Sequence, residues 1–155
     1  MAETTDTVER PEIYDVKNYQ PKQGIGGLLS RVKMKMMESL ETELAPFGIT
    51  APQFVIIVNL ASGVDSASGL CRSVSYDPGA MTRMLDRLQK KGLVRRVPCA
   101  DDRRVMRLAL TEQGNEIYPQ LVERAATVLN RRLRGFRKDE VRQLEQLLNR
   151  MLQND

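Results

Sequence analysis

From Gly24 to about Ala45 the apolar residues fall at Ile25, Leu28, Leu29, Val32, Met36, Leu40 and Leu44, the spacing of one wide helical face. Pro46 and Gly48 end that helix. A nearly continuous apolar run, Phe54 to Val58, comes next. Its β-branched residues also suit a strand. Thr50 and Gln53, however, have the spacing of a capping box, and Pro52 suits a first turn, so the pattern predicts a buried helix. Ser62 to Ser68 is small and polar and reads as a loop before a short helix, about Ala67 to Val74. Asp77-Pro78-Gly79 then opens a helix running to Lys91, with Asp77 as N-cap, Pro78 in the first helical position and Gly92 as the stop. One face carries Met81, Met84, Leu85 and Leu88; the other carries Thr82, Arg83, Asp86, Arg87 and Lys90. Residues 93–97 and 105–110 predict two strands around a polar, charged turn, hence a β-hairpin. Thr111 caps a long helix with Ile117, Leu121, Ala125, Val128, Leu129 and Leu133 in register, Pro119 near its start or bending it, and Gly135 breaking it. A last helix, about Lys138 to Gln153, has Val141, Leu144, Leu147, Leu148 and Met151 on one stripe and no Ser or Thr cap.

The order helix, turn, helix, hairpin implies a mainly α, winged helix-turn-helix fold of the α+β kind, with about six helices and a two- to three-stranded wing. Residues 1–23 read as an arm whose Ile13, Tyr14, Val16 and Tyr19 can pack on a partner. Residues 50–110 form the winged lobe, and 24–49 with 111–155 form a helical dimerisation region. The terminal stripes at 25–44 and 141–151 would leave apolar faces exposed in a monomer, so a homodimer is expected.

Charge placement changes this picture more than composition does. The net charge is +4 over 155 residues. Between Arg83 and Arg107 stand nine basic and three acidic residues, a net of +6, whereas the rest of the chain has 15 basic and 17 acidic residues, a net of −2. The whole positive excess thus lies in the second helix of the pair and the hairpin, the footprint of a phosphate-contacting surface. The chain has no histidine, no P-loop, no Cys-x-x-Cys and no Gly-x-Ser-x-Gly element, which argues against an enzyme. Two cysteines without histidine cannot complete a zinc site, and no cofactor or metal is expected. Cys71 is expected where the two helices cross, and Cys99, near the hairpin tip, is expected to be exposed. No apolar run is long enough to span a membrane and no signal-peptide core is evident, so a cytoplasmic protein is expected.

A helix presenting Thr and Arg fits the major groove of B-DNA. Asp77, Gly79, Ala80, Thr82 and Arg83 stand at its leading end, Gly79 and Ala80 being small enough for close approach; Thr82 and Arg83 can reach bases or phosphates, and Arg87 a phosphate. Arg72 and Ser73 on the preceding helix are further phosphate candidates. Arg103 and Arg104 at the hairpin tip can enter the minor groove. The stretch from Asp77 to Arg96, Asp77-Pro-Gly-Ala-Met-Thr-Arg-Met-Leu-Asp-Arg-Leu-Gln-Lys-Lys-Gly-Leu-Val-Arg-Arg, resembles the multiple antibiotic resistance regulator (MarR) family, as do Asp101-Asp-Arg-Arg and Leu108-Ala-Leu-Thr-Glu-Gln-Gly114. The resemblance covers roughly Gly24 to Leu152. It implies an intertwined homodimer that binds a pseudo-palindromic duplex and represses transcription by occlusion. It also implies a wing in which Asp102 positions Arg103 or Arg104. Gly69-Leu70-Cys71 departs from the family's Glu-Leu-Ala at the helix before recognition, which leaves the capping of that helix open. The resemblance further implies release by a small aromatic acid or phenolic effector, for which Arg31, Met34, Phe54, Val58 and Tyr118 are candidates. Two other readings are a cysteine-based redox regulator and a dimeric protein-interaction module that has lost DNA.

Overall fold

The computed structural model describes residues 12–74, 76–99 and 106–154. The chain divides into two compact units, one ending at Lys35 and one beginning at Met36. Helix α1 (Ile25–Leu44) begins in the first and ends in the second.

In the first unit the arm folds onto the start of α1. Asp15 nucleates a turn: its carboxylate accepts from Lys17 N–H at 2.9 Å and its carbonyl from Tyr19 N–H at 2.8 Å. Tyr14 and Tyr19 then meet edge to face with ring centroids 5.0 Å apart, and the Tyr14 hydroxyl accepts from Ile25 N–H at 3.1 Å. A side chain at Gly27 would run into the carbonyl oxygen of Pro21, so this approach requires glycine.

In the second unit, a single turn of 3-10 helix at Ala45–Phe47 closes α1, and Gly48 turns left-handed at φ 64°. Helix α2 (Ala51–Ala61) has the full capping box: Thr50 accepts from Gln53 N–H, and Gln53 reaches back to Thr50 N–H. This local signal decides the β-branched run in favour of helix, and Phe54, Ile56 and Ile57 are buried. Helix α3 (Ala67–Val74) packs on α2 and on α4 (Pro78–Lys90), and Leu70, Met81, Leu85 and Leu88 join one buried core. Strands β1 (Val94–Pro98) and β2 (Met106–Leu110) pair antiparallel, Val94 opposite Leu110 and Pro98 opposite Met106. The described sheet has two strands, and one backbone bond, Leu108 N–H to the Asp65 carbonyl at 2.8 Å, stands where a third would add.

Helix α5 (Glu112–Arg132) starts at the Thr111 cap, and its first turn lies directly on the root of β1. Thr111 donates to the Gly92 carbonyl, and a side chain at Gly114 would strike the Leu93 carbonyl oxygen. Pro119 lies inside α5. Gly135, at φ 91°, separates α5 from α6 (Lys138–Leu152). The Glu140 carboxylate accepts from Arg137 N–H at 2.8 Å, which is half of a capping box; an arginine side chain has no acceptor for the other half. The core centres on Leu44, Ile56, Ile57, Leu70, Met81, Leu88 and Leu121, all fully buried. Helix α6 buries none of its residues.

Candidate nucleic-acid interface

The leading end of α4 is built by local chemistry. The Asp77 carboxylate accepts from Ala80 N–H at 2.9 Å, and Pro78 follows in the first turn. The helix dipole adds positive potential at this end, where an anion is favoured. A side-chain carbon at Gly79 would lie 3.1 Å from the capping Asp77 carboxylate and 3.6 Å from Arg83 Nη1, so glycine leaves both groups uncrowded. Thr82 donates its hydroxyl to the Pro78 carbonyl at 2.8 Å. Met81, Leu85 and Leu88 occupy the buried face, so Thr82, Arg83 and Arg87 are turned outward and exposed. Arg83 and Arg87 make no salt bridge among the described residues, so their guanidinium groups are available to an anion.

Helix α3 shows what its sequence left open. Ser66 caps it, its hydroxyl accepting from Gly69 N–H at 3.1 Å. A side chain at Gly69 would crowd that same hydroxyl and Val64, so glycine lets the cap and the loop close together. Arg72 is exposed near the end of α3, and Ser73 donates to the Leu70 carbonyl at 2.9 Å. Cys71 is half-buried and packs against the core, as expected of a small residue at a helix crossing.

The basic stretch divides into free and engaged charges. Lys91 caps α4 and turns inward, donating to the Gly48 carbonyl and, at 3.2 Å, to the buried amide of Gln53. It therefore joins α4 to the start of α2. Arg96 pairs with Asp86 of α4 at 2.8 Å, and Arg107 pairs with Asp65. Arg107 also donates to the Cys99 sulfur at 3.3 Å. These two contacts, the sulfur first and the carboxylate second, raise its pKa above the already high arginine value. Cys99 is buried, 8% exposed, which corrects the expectation of an exposed thiol: its sulfur accepts from Arg107 across the hairpin instead of facing solvent. Lys90 and Arg95 were not among the sequence candidates, yet both are exposed and unpaired among the described residues. Their signal was the charge excess alone. Asp102, Arg103 and Arg104 lie outside the described residues.

Of the effector candidates, Arg31 and Met34 are exposed on α1 in the first unit. In the second, Phe54 is buried, and Val58 and Tyr118 pack half-buried against the core. An open groove of about 400 Å³ lies between the end of α5 and α6, lined by Asn130, Leu133, Phe136, Lys138, Val141 and Arg142. Among the described residues there is no cluster of acids or cysteines that would hold a metal ion, and no single helix is long and apolar enough to cross a membrane.

Comparison with known proteins agrees with this architecture. Residues 49–106, from the start of the lobe to β2, match the MarR family model. The multiple antibiotic resistance protein MarR of Salmonella typhimurium is 36% identical over 130 residues, covering 83% of this chain and 90% of that protein. A cysteine-to-serine mutant of Escherichia coli MarR complexed with operator DNA is similar in structure, with a TM-score of 0.74 and 33% identity over 90% of this chain and 99% of that one. CouR of Rhodococcus jostii, bound to p-coumaroyl-CoA, superposes with a TM-score of 0.75 at 25% identity, covering 85% of this chain and 94% of that one. A six-helix chain with a two-stranded wing, a capped and basic fourth helix, and this identity over most of its length belongs to the MarR family of transcriptional regulators.

Proposed function

We propose that the protein is a ligand-responsive repressor that binds a pseudo-palindromic operator as a homodimer. The observation that carries this reading is α4, a helix with a capped, small-residue leading end, an exposed Thr82, and an exposed Arg83 and Arg87 that make no ion pair among the described residues. Such a helix fits the major groove, with Asp77, Gly79 and Ala80 nearest the duplex. Arg72 and Ser73 meet phosphates, and Arg103 and Arg104, oriented by Asp102, enter the adjacent minor groove. The operator complex of E. coli MarR supports a duplex partner.

Dimerisation through residues 24–49 and 111–155 is supported by what the monomer leaves uncovered. On α1, Ile25, Leu28, Leu29 and Val32 are exposed; on α6, Leu144, Leu147 and Met151 are exposed. A fifteen-residue amphipathic helix with no buried residue needs a partner for its apolar stripe. Two-fold pairing sets the two recognition helices about 34 Å apart, one DNA turn, so that one dimer occludes both half-sites.

The effector is a small aromatic acid or phenolic compound that binds the DNA-incompetent arrangement more tightly. The CouR complex with an aromatic ligand supports this class. Arg31 and Met34, being exposed, are the first positions to test, followed by Phe54, Val58 and Tyr118.

The test is selection of bound duplexes from genomic fragments, followed by titration against salt and aromatic acids. Affinity is expected to fall by orders of magnitude as salt rises from about 50 to about 200 mM. Salicylate-like acids at millimolar concentration are expected to release the duplex. A monomer in solution, or indifference to genomic fragments at low salt, overturns the operator reading; unchanged gel shifts across a panel of aromatic acids overturn the effector class.

A further inference from the structure

The hairpin is a two-stranded sheet, and two antiparallel strands alone are only marginally stable in water. Its tip can meet DNA reproducibly only if its base is held at a fixed angle to the rest of the lobe. Strand β1 is tied to α4 by the Arg96–Asp86 pair. Strand β2 is tied to the loop between α2 and α3 twice over by one residue, Asp65: its carbonyl accepts from Leu108 N–H and its carboxylate pairs with Arg107. The same guanidinium donates to Cys99, the last described residue before the tip. Arg107 therefore joins both arms of the hairpin to a loop outside it.

We propose that Asp65 and Arg107 are positioning residues for operator binding, a clamp that holds the wing at the pitch from which its tip reaches the duplex. This rests on the reading of Arg103 and Arg104 as DNA contacts. Asp65 and Arg107 are about half exposed, and an exposed ion pair contributes little to global stability. Its effect is on orientation. Electrostatics alone makes the opposite demand. A carboxylate at the edge of a basic surface repels phosphates, so its removal by itself tightens binding.

The sign of the effect of Asp65→Asn separates the two. Affinity is measured by fluorescence anisotropy at fixed salt, on the intact dimer, with a duplex recovered by selection on the wild-type protein. Four variants are compared: Asp65→Asn, the pair Arg103→Ala with Arg104→Ala, all three together, and the conservative Asp65→Glu. The clamp predicts that Asp65→Asn weakens binding about threefold, the scale of one exposed ion pair. It also predicts that this loss vanishes once the tip arginines are gone, a coupling that a double-mutant cycle reads directly, and that Asp65→Glu, which keeps a carboxylate for Arg107, binds more tightly than Asp65→Asn. Neutral or tighter binding by Asp65→Asn, while loss of the tip arginines weakens it, overturns the clamp and leaves the tip reading intact. So does an Asp65→Asn loss that persists without the tip arginines. If removing the tip arginines changes nothing, the tip reading fails and the clamp with it. Should Asp65→Asn lower the unfolding midpoint, Asp65→Glu decides: a folded Asp65→Glu protein that binds as weakly as Asp65→Asn overturns the proposal.

Discussion

Helix α4 and the hairpin carry the same kind of residue and use it differently. On α4, Arg83 and Arg87 are exposed and make no ion pair among the described residues, and the helix is held in place by its apolar face and by the Asp77 cap. On the hairpin, Arg96 and Arg107 are engaged with carboxylates 10 and 42 residues away. The α4 arginines present their charge, whereas Arg96 and Arg107 of the hairpin are held by carboxylates and Arg95, next to Arg96, stays exposed. The difference follows from the backbone. A helix satisfies its own hydrogen bonds and needs only a face to pack, whereas a two-stranded sheet has open edges and needs outside anchors.

The comparison breaks most visibly if an α4 arginine is removed. Arg83→Ala is expected to cost about 1–3 kcal/mol of operator affinity, with discrimination between operator variants relaxed at one position. Binding isotherms on a set of single-base variants check this. Equal weakening on all of them would make Arg83 a phosphate anchor.

The root of the hairpin is the next point of failure. A methyl group at position 114 would meet the backbone carbonyl oxygen of Leu93, with no flexible side chain to yield. Gly114→Ala is expected to destabilise the fold by about 1–3 kcal/mol, read from denaturant or thermal unfolding. An unchanged midpoint would show that α5 can withdraw from β1 without cost.

The smallest effect is expected at the α4 cap. Asp77→Ala removes the acceptor for Ala80 N–H and is expected to cost about 1 kcal/mol, a fall of roughly 2–4 °C in the thermal midpoint. Asp77→Asn, which keeps an acceptor, is expected to recover most of it. If both variants fall equally, the carboxylate charge at the helix dipole matters more than the hydrogen bond.

Much of this molecule is legible in its sequence. The capping box at Thr50, the caps at Asp77 and Thr111, and the glycines at 48, 92 and 135 act over a few residues, and the helices begin and end where those signals stand. The outward face of α4 followed from apolar spacing alone, which is why Arg83 and Arg87 were placed correctly as exposed. The charge excess between Arg83 and Arg107 was real but coarse: it counted Lys91, Arg96 and Arg107 together with the free arginines.

Local order is what the amino-acid sequence determined by itself: which segments are helix, where each stops, and which side of the fourth helix packs. Only the tertiary structure decided which charges are left for a ligand, that Cys99 is buried and bonded to Arg107, and that Gly69 and Gly114 are sites of close approach. The physical reason is range. Caps and periodicity are satisfied within one or two turns of chain, whereas an ion pair or a steric contact is defined by residues that only folding brings together.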